Sequence, residues 1–316
     1  ISCFRRFRVT VLHINRAGAA STVQDSGRIG TLQLGLPPSG AMDHPALVSG
    51  QHLLGHTQDE AAIEMAYANT EVTPDSSCLI AVTGAPVSLW VDGAPACDTE
   101  VLKIGANQRV SIKARSHGVY SYLHVSGGIA TPAVFDSRST SVRESIGGFA
   151  GTYLRDGDQL PIGSAYSDVI TSNASLPLPE SAPTLMLRFV PGFQYELLTE
   201  QAMSSLLESE FKVTSRANRM GVALSGDPVN TGVTSLLSEA TCYGAIQLPG
   251  DGDPIVLLND RQTVGGYPKP GAVIRSDCRR LAQARPGQRV RFTPCTPQEA
   301  DRIAWLEQHY LETRLR

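Results

Sequence analysis

The sequence predicts a mainly β protein made of two tandem barrel-like halves with a few short helices. Apolar segments of four to eight residues recur along most of the chain, rich in Val, Ile, Leu and Tyr and closed by Gly, Pro or Asn. Many short strands at close spacing suit a barrel or sandwich better than alternating β and α units. Between the two series lies "SAYSDVITSNASLPLPESAP" (164–183), whose Ser, Pro and Ala content and weak periodicity mark a linker.

In the first half, residues 1–163, the expected strands are "RVTVLHI", "CLIAVTG", "VSLWVDG", "EVLKIG", "RVSIKA" and "YSYLHVSGG". In the second, residues 184–295, they are "TLMLRFVPG", "FKVTS", "GAIQLPG", "PIVLLND", "GAVIRS" and "QRVRFT". Three helices are expected. "MDHPALVSGQHLLG" (42–55) has Asp43 as N-cap and Gly55 as a C-terminal stop. "TEQAMSSLLES" (199–209) is the second. The third occupies 296–316, with Thr296 as N-cap, Pro297 at the first position and Glu299 completing a capping box. Ile303, Leu306 and Tyr310 then share one face of it. The halves also echo each other: "RIGTLQLG" (28–35) resembles "RMGVALSG" (219–226), and "ANQRVSI" (106–112) resembles "PGQRVRF" (286–292). Such echoes suit a duplication, and equally suit chance recurrence of short β patterns.

Composition narrows the function classes. The net charge is −3 with no long run of one sign, so neither nucleic acid nor an anionic membrane is an expected partner. The six cysteines include no C-x-x-C pair, so no metal site is expected and the thiols read as free. No segment has the roughly 18 apolar residues of a membrane helix, and "ISCFRRFRVTVLHI" is too weakly apolar for a secretory core. A cytoplasmic location follows as the expectation.

Two turn-rich segments carry the chemistry. "NDRQTVGGYPKPGAVI" (259–274) follows an apolar strand and packs Asp260, Arg261, Gln262, Gly265, Gly266, Tyr267 and Lys269 close together; the chain has only three other lysines. A glycine pair lets backbone N–H groups approach a ligand, and Arg and Lys beside them suit an anion or carboxylate. A surface hairpin with solvated charges accounts for the same residues. "QDSGRIGTLQLGLPPSGAMD" (24–43) poses the same choice: it is either a connecting loop, or it brings Gln24, Asp25 and Arg28 to a cleft with Ser39 and Asp43 opposite. Three weaker signals fail. "HLLGH" sets His52 and His56 at helical spacing but lacks the Glu of a zinc protease, so both read as surface or cap residues. "HVSGG" lacks the leading glycine of a nucleophile elbow. There is neither a Walker lysine motif nor an "MKM"-type biotin-attachment lysine.

Taken together, "TVQDSGRIGTLQLGLPPSGAMD", "VSGGI", "DSRSTSVRESIGGFAGTYLRDGDQLPIG", "RMG" and "GAIQLPGDGDPIVLLNDRQTVGGYPKPGAVI" resemble the biotin-dependent carboxyltransferase-like family. That family includes allophanate hydrolase subunit 2, the C subunit of 5-oxoprolinase and a kinase-inhibitor antagonist. The resemblance runs from about residue 22 to about 295. It implies cyclophilin-like β-barrel modules and a sister chain of the type of allophanate hydrolase subunit 1 or the B subunit of 5-oxoprolinase. Under the oxoprolinase reading it implies a third subunit and ATP used by the assembled complex to convert 5-oxo-L-proline to L-glutamate, with this chain inactive alone. The alternatives are a urea-carboxylase-type carboxyltransferase subunit, served by biotin on another chain, and a non-enzymatic antagonist. Candidate catalytic groups are Lys269, Arg261 and Asp25. Candidate substrate-binding groups are Gln24, Arg28, Ser39, Asp43, Arg219, Gln262, Gly265, Gly266 and Tyr267. Asn259 and Val264 depart from the "ADRQTTGGYP" that the family leads one to expect, which bears on specificity.

Overall fold

In the computed structural model, which describes residues 10–165, 182–196, 198–233 and 236–315, strand alternation decides which side chains meet. Leu12 and Ile14, Ile63 and Met65, Ile80 and Val82, Val110 and Ile112, and Leu123 and Val125 are buried pairs two residues apart, so each pair lies on one face of its strand. They form one core between two sheets. Six strands pair in the order Gln159–Ile162, Thr10–Arg16, Asn69–Pro74, Val110–Ala114, Val87–Val91 and Ala94–Ala96. Five pair in the order Ala20–Gln24, Ala62–Ala66, Tyr120–Val125, Cys78–Gly84 and Leu102–Ile104.

Helix α1, His44–Leu53, covers the other face of the five-stranded sheet: Leu53 and Leu54 pack with Ala81, and Thr83 Oγ1 donates to the Ala46 carbonyl at 2.7 Å. The helix ends as its sequence dictates. Gly55, at φ +64°, lets its own N–H reach the His52 carbonyl and that of His56 reach the Gln51 carbonyl, a Schellman arrangement.

A seven-stranded sheet in the second part of the chain runs in the order Ile246–Gln247, Ile255–Leu257, Gly221–Ser225, Phe211–Asn218, Arg289–Pro294, Thr184–Pro191 and Gly271–Val273. Its ends meet through an antiparallel bridge between Ala245 and Ala272, so the sheet closes into a near-barrel. Full pairing removes the exposed edges on which a sheet aggregates. Phe189, Phe211 and Phe292 fill it, with edge contacts at 6.2 and 5.7 Å around Phe292. Helices α2 (Glu200–Glu208), α3 (Arg275–Ala282) and α4 (Pro297–Arg314) belong to this part. Thr199 caps α2 by accepting from Ala202 N at 3.1 Å, and the Thr296–Glu299 capping box opens α4.

The chain clusters into two compact units. The first holds Ile1–Gly27, Ala46–Ser116 and Ser121–Leu176; the second holds Arg28–Pro45, His117–Tyr120 and Pro177–Arg316. Gln283 shows why the two short segments go with the second unit. Its Oε1 accepts from Val119 N and Tyr120 N, both at 2.8 Å, while its Nε2 donates to Asp43 Oδ2 and the Tyr120 carbonyl. Most of the expected linker, 166–181, lies outside the described residues.

Four sequence readings need correction. "GAVIRS" is a strand only to Val273; from Arg275 the chain turns into α3, which was not expected. "RIGTLQLG" and "RMGVALSG" adopt different structures, a 3-10 turn at Leu32–Leu34 and a strand at Gly221–Ser225. In α4 the expected apolar stripe is largely uncovered, with Leu306 and Tyr310 each 49 % exposed. His56 is not a surface residue: its side chain is 1 % exposed, and burial pulls its pKa below the ordinary value.

Candidate functional site

The segment after strand Ile255–Leu257 is fixed residue by residue. Asn259 Nδ2 lies 3.0–3.1 Å from three successive carbonyls, those of Ser39, Gly40 and Ala41. Asp260 receives a two-pronged pair from Arg219, with Nε at 2.7 Å and Nη2 at 3.1 Å, and the same Nη2 donates to the Gly40 carbonyl at 2.8 Å. These contacts hold Ser39 and Gly40 in left-handed backbone, at φ +56° and +84°. For a serine that conformation is strained and persists only when its surroundings impose it. Ser39 is 4 % exposed, and its hydroxyl has no hydrogen-bond partner among the described residues.

Arg261 is the most exceptional group. It is 5 % exposed, its Nη1 has one long contact with the Leu258 carbonyl at 3.5 Å, and its Nε has no partner among the described residues. Burial pulls its pKa below the ordinary arginine value, offset in part by Cys242, Tyr243 and Cys278 nearby. Burial also pushes the Tyr243 phenol and the Cys278 thiol upward, so neither supplies an anion to pair with it.

Beyond Arg261, Gln262 Nε2 donates to Gln247 Oε1 at 3.2 Å, and the Gln262 carbonyl accepts from Thr241 Oγ1 at 2.5 Å. Gly265 and Gly266 pack closely against the protein's own atoms: a Cβ at 265 would lie 2.5 Å from Gln247 Nε2, and one at 266 would lie 2.7 Å from the Leu236 carbonyl oxygen. Lys269 braces this turn, its Nζ donating at 3.3 Å to the carbonyls of Gly265 and Tyr267 with Glu239 at 3.7 Å. The Tyr267 side chain is 40 % exposed. Asp43 is buried and takes Gln283 Nε2 at 2.9 Å, and the Arg28 backbone N–H donates to Pro38 at 2.8 Å.

The second unit therefore brings together Ser39, Arg219, Arg261, Gln262, Gly265, Gly266 and Lys269 around one segment with Asn259, which the sequence singles out only as a departure from the family pattern, and adds two residues that sequence reasoning missed: Thr241 and Gln247. Its unpartnered buried atoms there are Ser39 Oγ, Gln247 Nε2 and Arg261 Nε. All three can donate. A ligand that completes them carries acceptor oxygens, as a carboxylate or an amide carbonyl does.

Gln24 and Asp25 belong to the first unit. Gln24 Nε2 donates to Thr22 Oγ1 and the Thr140 carbonyl. Asp25 accepts from Gly27 N, Ser137 Oγ, Ser139 Oγ and Arg138 N. Four donors saturate its carboxylate and clasp the 137–139 loop.

"HVSGG" also proves structural. Ser126 exchanges hydrogen bonds with the Leu79 backbone, and His124 is buried against Gly50, where a Cβ would collide with its ring. Thr83 Oγ1 already donates to Ala46, so it accepts from His124 Nε2–H at 3.0 Å, which assigns a proton to Nε2. Burial lowers the His124 pKa from 6.5 to about 3. The unfolded chain binds this proton more readily, so stability is full above about 6.5 and declines as pH falls toward about 3. Denaturant midpoints at about pH 7 and about pH 4.5 should differ less in His124→Gln than in the wild type; equal differences would remove His124 from the acid response.

The match with known proteins agrees with this architecture. The family model "carboxyltransferase domain, subdomain A and B" matches residues 34–294. The chain is 36 % identical over 303 residues to the C subunit of 5-oxoprolinase from Escherichia coli, covering 96 % of this chain and 97 % of that protein. It is 32 % identical over 296 residues to the C subunit of the Haemophilus influenzae enzyme, covering 92 % and 94 %. The crystal structure of Kluyveromyces lactis urea carboxylase superposes with a TM-score of 0.89 at 22 % identity, over 98 % of this chain and 29 % of that one, a likeness of fold. The length of the family match and the two near-full-length relatives place this chain in the carboxyltransferase family of subdomains A and B.

Proposed function

We propose that the chain is the C subunit of an ATP-dependent 5-oxoprolinase, acting with partner subunits to open the lactam of 5-oxo-L-proline to L-glutamate. The observation that carries this reading is mutual near-full-length similarity to two proteins of that name. Ser39, Gln247 and Arg261, each with a donor that has no partner among the described residues, suit a substrate that presents a carboxylate and a carbonyl.

In this reading Arg261 and Ser39 hold and orient the substrate. Lys269 keeps the glycine turn in shape, and Asp25 is structural rather than catalytic. The glycine segment runs from strand to strand, Ile255–Leu257 to Gly271–Val273, not into a helix N-terminus of the kind that binds phosphate. No step through ATP is therefore assigned to this chain. Energy enters through the partners, one of the type of the 5-oxoprolinase B subunit and a third one, and the isolated chain is inactive. We place it in the cytoplasm: its five described cysteines are free, and among the described residues no helix is long and apolar enough to cross a membrane.

A second reading, carboxyl transfer to urea or a similar amide from carboxybiotin on another chain, is favoured by 24 % identity to the urea amidolyase of Lachancea kluyveri. That match spans 97 % of this chain but 18 % of the relative.

The test is purification with the adjacent gene products and measurement of glutamate release from 5-oxoproline with and without ATP. Release only from the ATP-supplied complex supports the proposal; robust turnover by this chain alone, or urea carboxylation by the complex instead, sinks it. Within an active complex, Lys269→Met is expected to lower kcat/KM by about tenfold, since one charge-assisted brace contributes roughly 1.5–3 kcal/mol and part of it is solvent-shared. Wild-type kinetics in that variant would make the lysine a surface ornament of the turn.

A further inference from the structure

We infer that Gln247 determines specificity for the substrate's amide, its side-chain N–H₂ donating to the lactam carbonyl oxygen. The inference rests on the oxoprolinase reading. Gln247 is 1 % exposed and lies in the two-residue strand Ile246–Gln247 at the barrel closure. Gln262 Nε2 donates to its Oε1 at 3.2 Å, which sets the amide orientation and turns Nε2 away from that contact. Nε2 is buried and has no partner among the described residues.

The group facing it is Gly265, where a Cβ would come within 2.5 Å of Nε2. Gly265 needs no left-handed backbone, since its φ is not among the positive ones, so its lack of a side chain is explained by this space. A buried amide N–H₂ held in one orientation by Gln262, packed over Gly265 and left without an acceptor among the described residues, is complementary to a neutral acceptor. Arg261 nearby in sequence supplies the cation for the carboxylate. The two demands of 5-oxoproline, a charged and an uncharged acceptor, then fall on two different side chains.

The experiment uses the reconstituted complex and two probes that each carry half of the substrate: 2-pyrrolidinone has the lactam without the carboxylate, and L-proline the carboxylate without the lactam carbonyl. Both are measured as competitive inhibitors of ATP-dependent 5-oxoproline turnover. In Gln247→Met, 2-pyrrolidinone inhibition and the 5-oxoproline KM should weaken by about tenfold, the size of one buried hydrogen bond, with L-proline inhibition unchanged. Gly265→Ala, whose Cβ would meet Nε2 at 2.5 Å and push the Gln247 amide aside, should give the same pattern and, as a change at a different position, guards against misfolding of the first variant. Unchanged constants, or equal weakening of both probes in both variants, overturn the inference. A wild-type complex with no ATP-dependent turnover instead overturns the oxoprolinase reading beneath it.

Discussion

Asp277→Ala is expected to destabilise the protein by about 3 kcal/mol, the low end of what removing one partner of a buried ion pair costs. Asp277 is fully buried at the start of α3, and its carboxylate collects four donors. Arg188 supplies three of them, its backbone N–H and Nε at 2.8 Å and its Nη2 at 2.7 Å, and Arg280 adds Nη1 at 3.3 Å. The contacts join α3 to the strand Thr184–Pro191 and keep the Arg188 pKa above its ordinary value, chiefly through the hydrogen bonds to Asp277. Alanine removes the acceptor for a backbone N–H and a guanidinium at once. The figure stays at the low end because the Arg188 side chain is 34 % exposed, so water recovers part of the loss.

For a unit of this size the change corresponds to a fall in Tm of about 10 °C. Asp277→Asn, which keeps an acceptor without the charge, should fall in between. Unchanged melting of the alanine variant would show that α3 is held by its apolar face alone.

That same helix shows where the sequence stops being legible. Strands such as Val87–Val91 and Val110–Ala114 announce themselves because one face meets the core and the apolar residues alternate. Ala62–Ala66 does not, since four of its five residues are buried on both faces and Glu64 sits among them, accepting from Tyr122 Oη at 2.7 Å. Helix α3 reads as a charged loop: four of the eight residues of "RSDCRRLA" are charged, and its N-cap residue, Ile274, makes no side-chain cap bond. Its buried Asp277 is anchored by Arg188, 89 residues away in sequence, which no local pattern contains.

The candidate site divides in the same way. Arg261, Lys269 and the glycine pair stand out as an improbable local composition. Gln247 and Asn259 sit in or beside ordinary apolar strands and acquire meaning from Gln262 and Gly265 in one case and from residues 39–41 in the other. Asp25 is legible in the opposite sense: a carboxylate in a glycine-rich loop stands out in the sequence, while its four donors, three of them from residues 137–139, do not.

Arg261→Met should separate stability from function. The guanidinium is 5 % exposed with a single 3.5 Å contact, and it belongs to no ion pair among the described residues. A cation taken out of water without a counter-ion is destabilising, which is why burial drags its pKa down. A shorter, unbranched apolar side chain removes that penalty, so the variant should melt at or above the wild-type temperature. If the substrate carboxylate is the missing partner, the same change deletes a two-pronged, charge-assisted contact, each bond of which contributes roughly 1.5–3 kcal/mol. The complex should then lose about a hundredfold in kcat/KM, since each 1.4 kcal/mol is a factor of ten. Arg261→Lys keeps the charge but not the planar fork and should recover only part of the rate. A methionine variant that melts early with unaltered kinetics would make Arg261 a structural residue and leave the carboxylate without its assigned partner. A stable variant that still assembles with its partners but has lost turnover is what a group kept buried and unpaired for a ligand predicts.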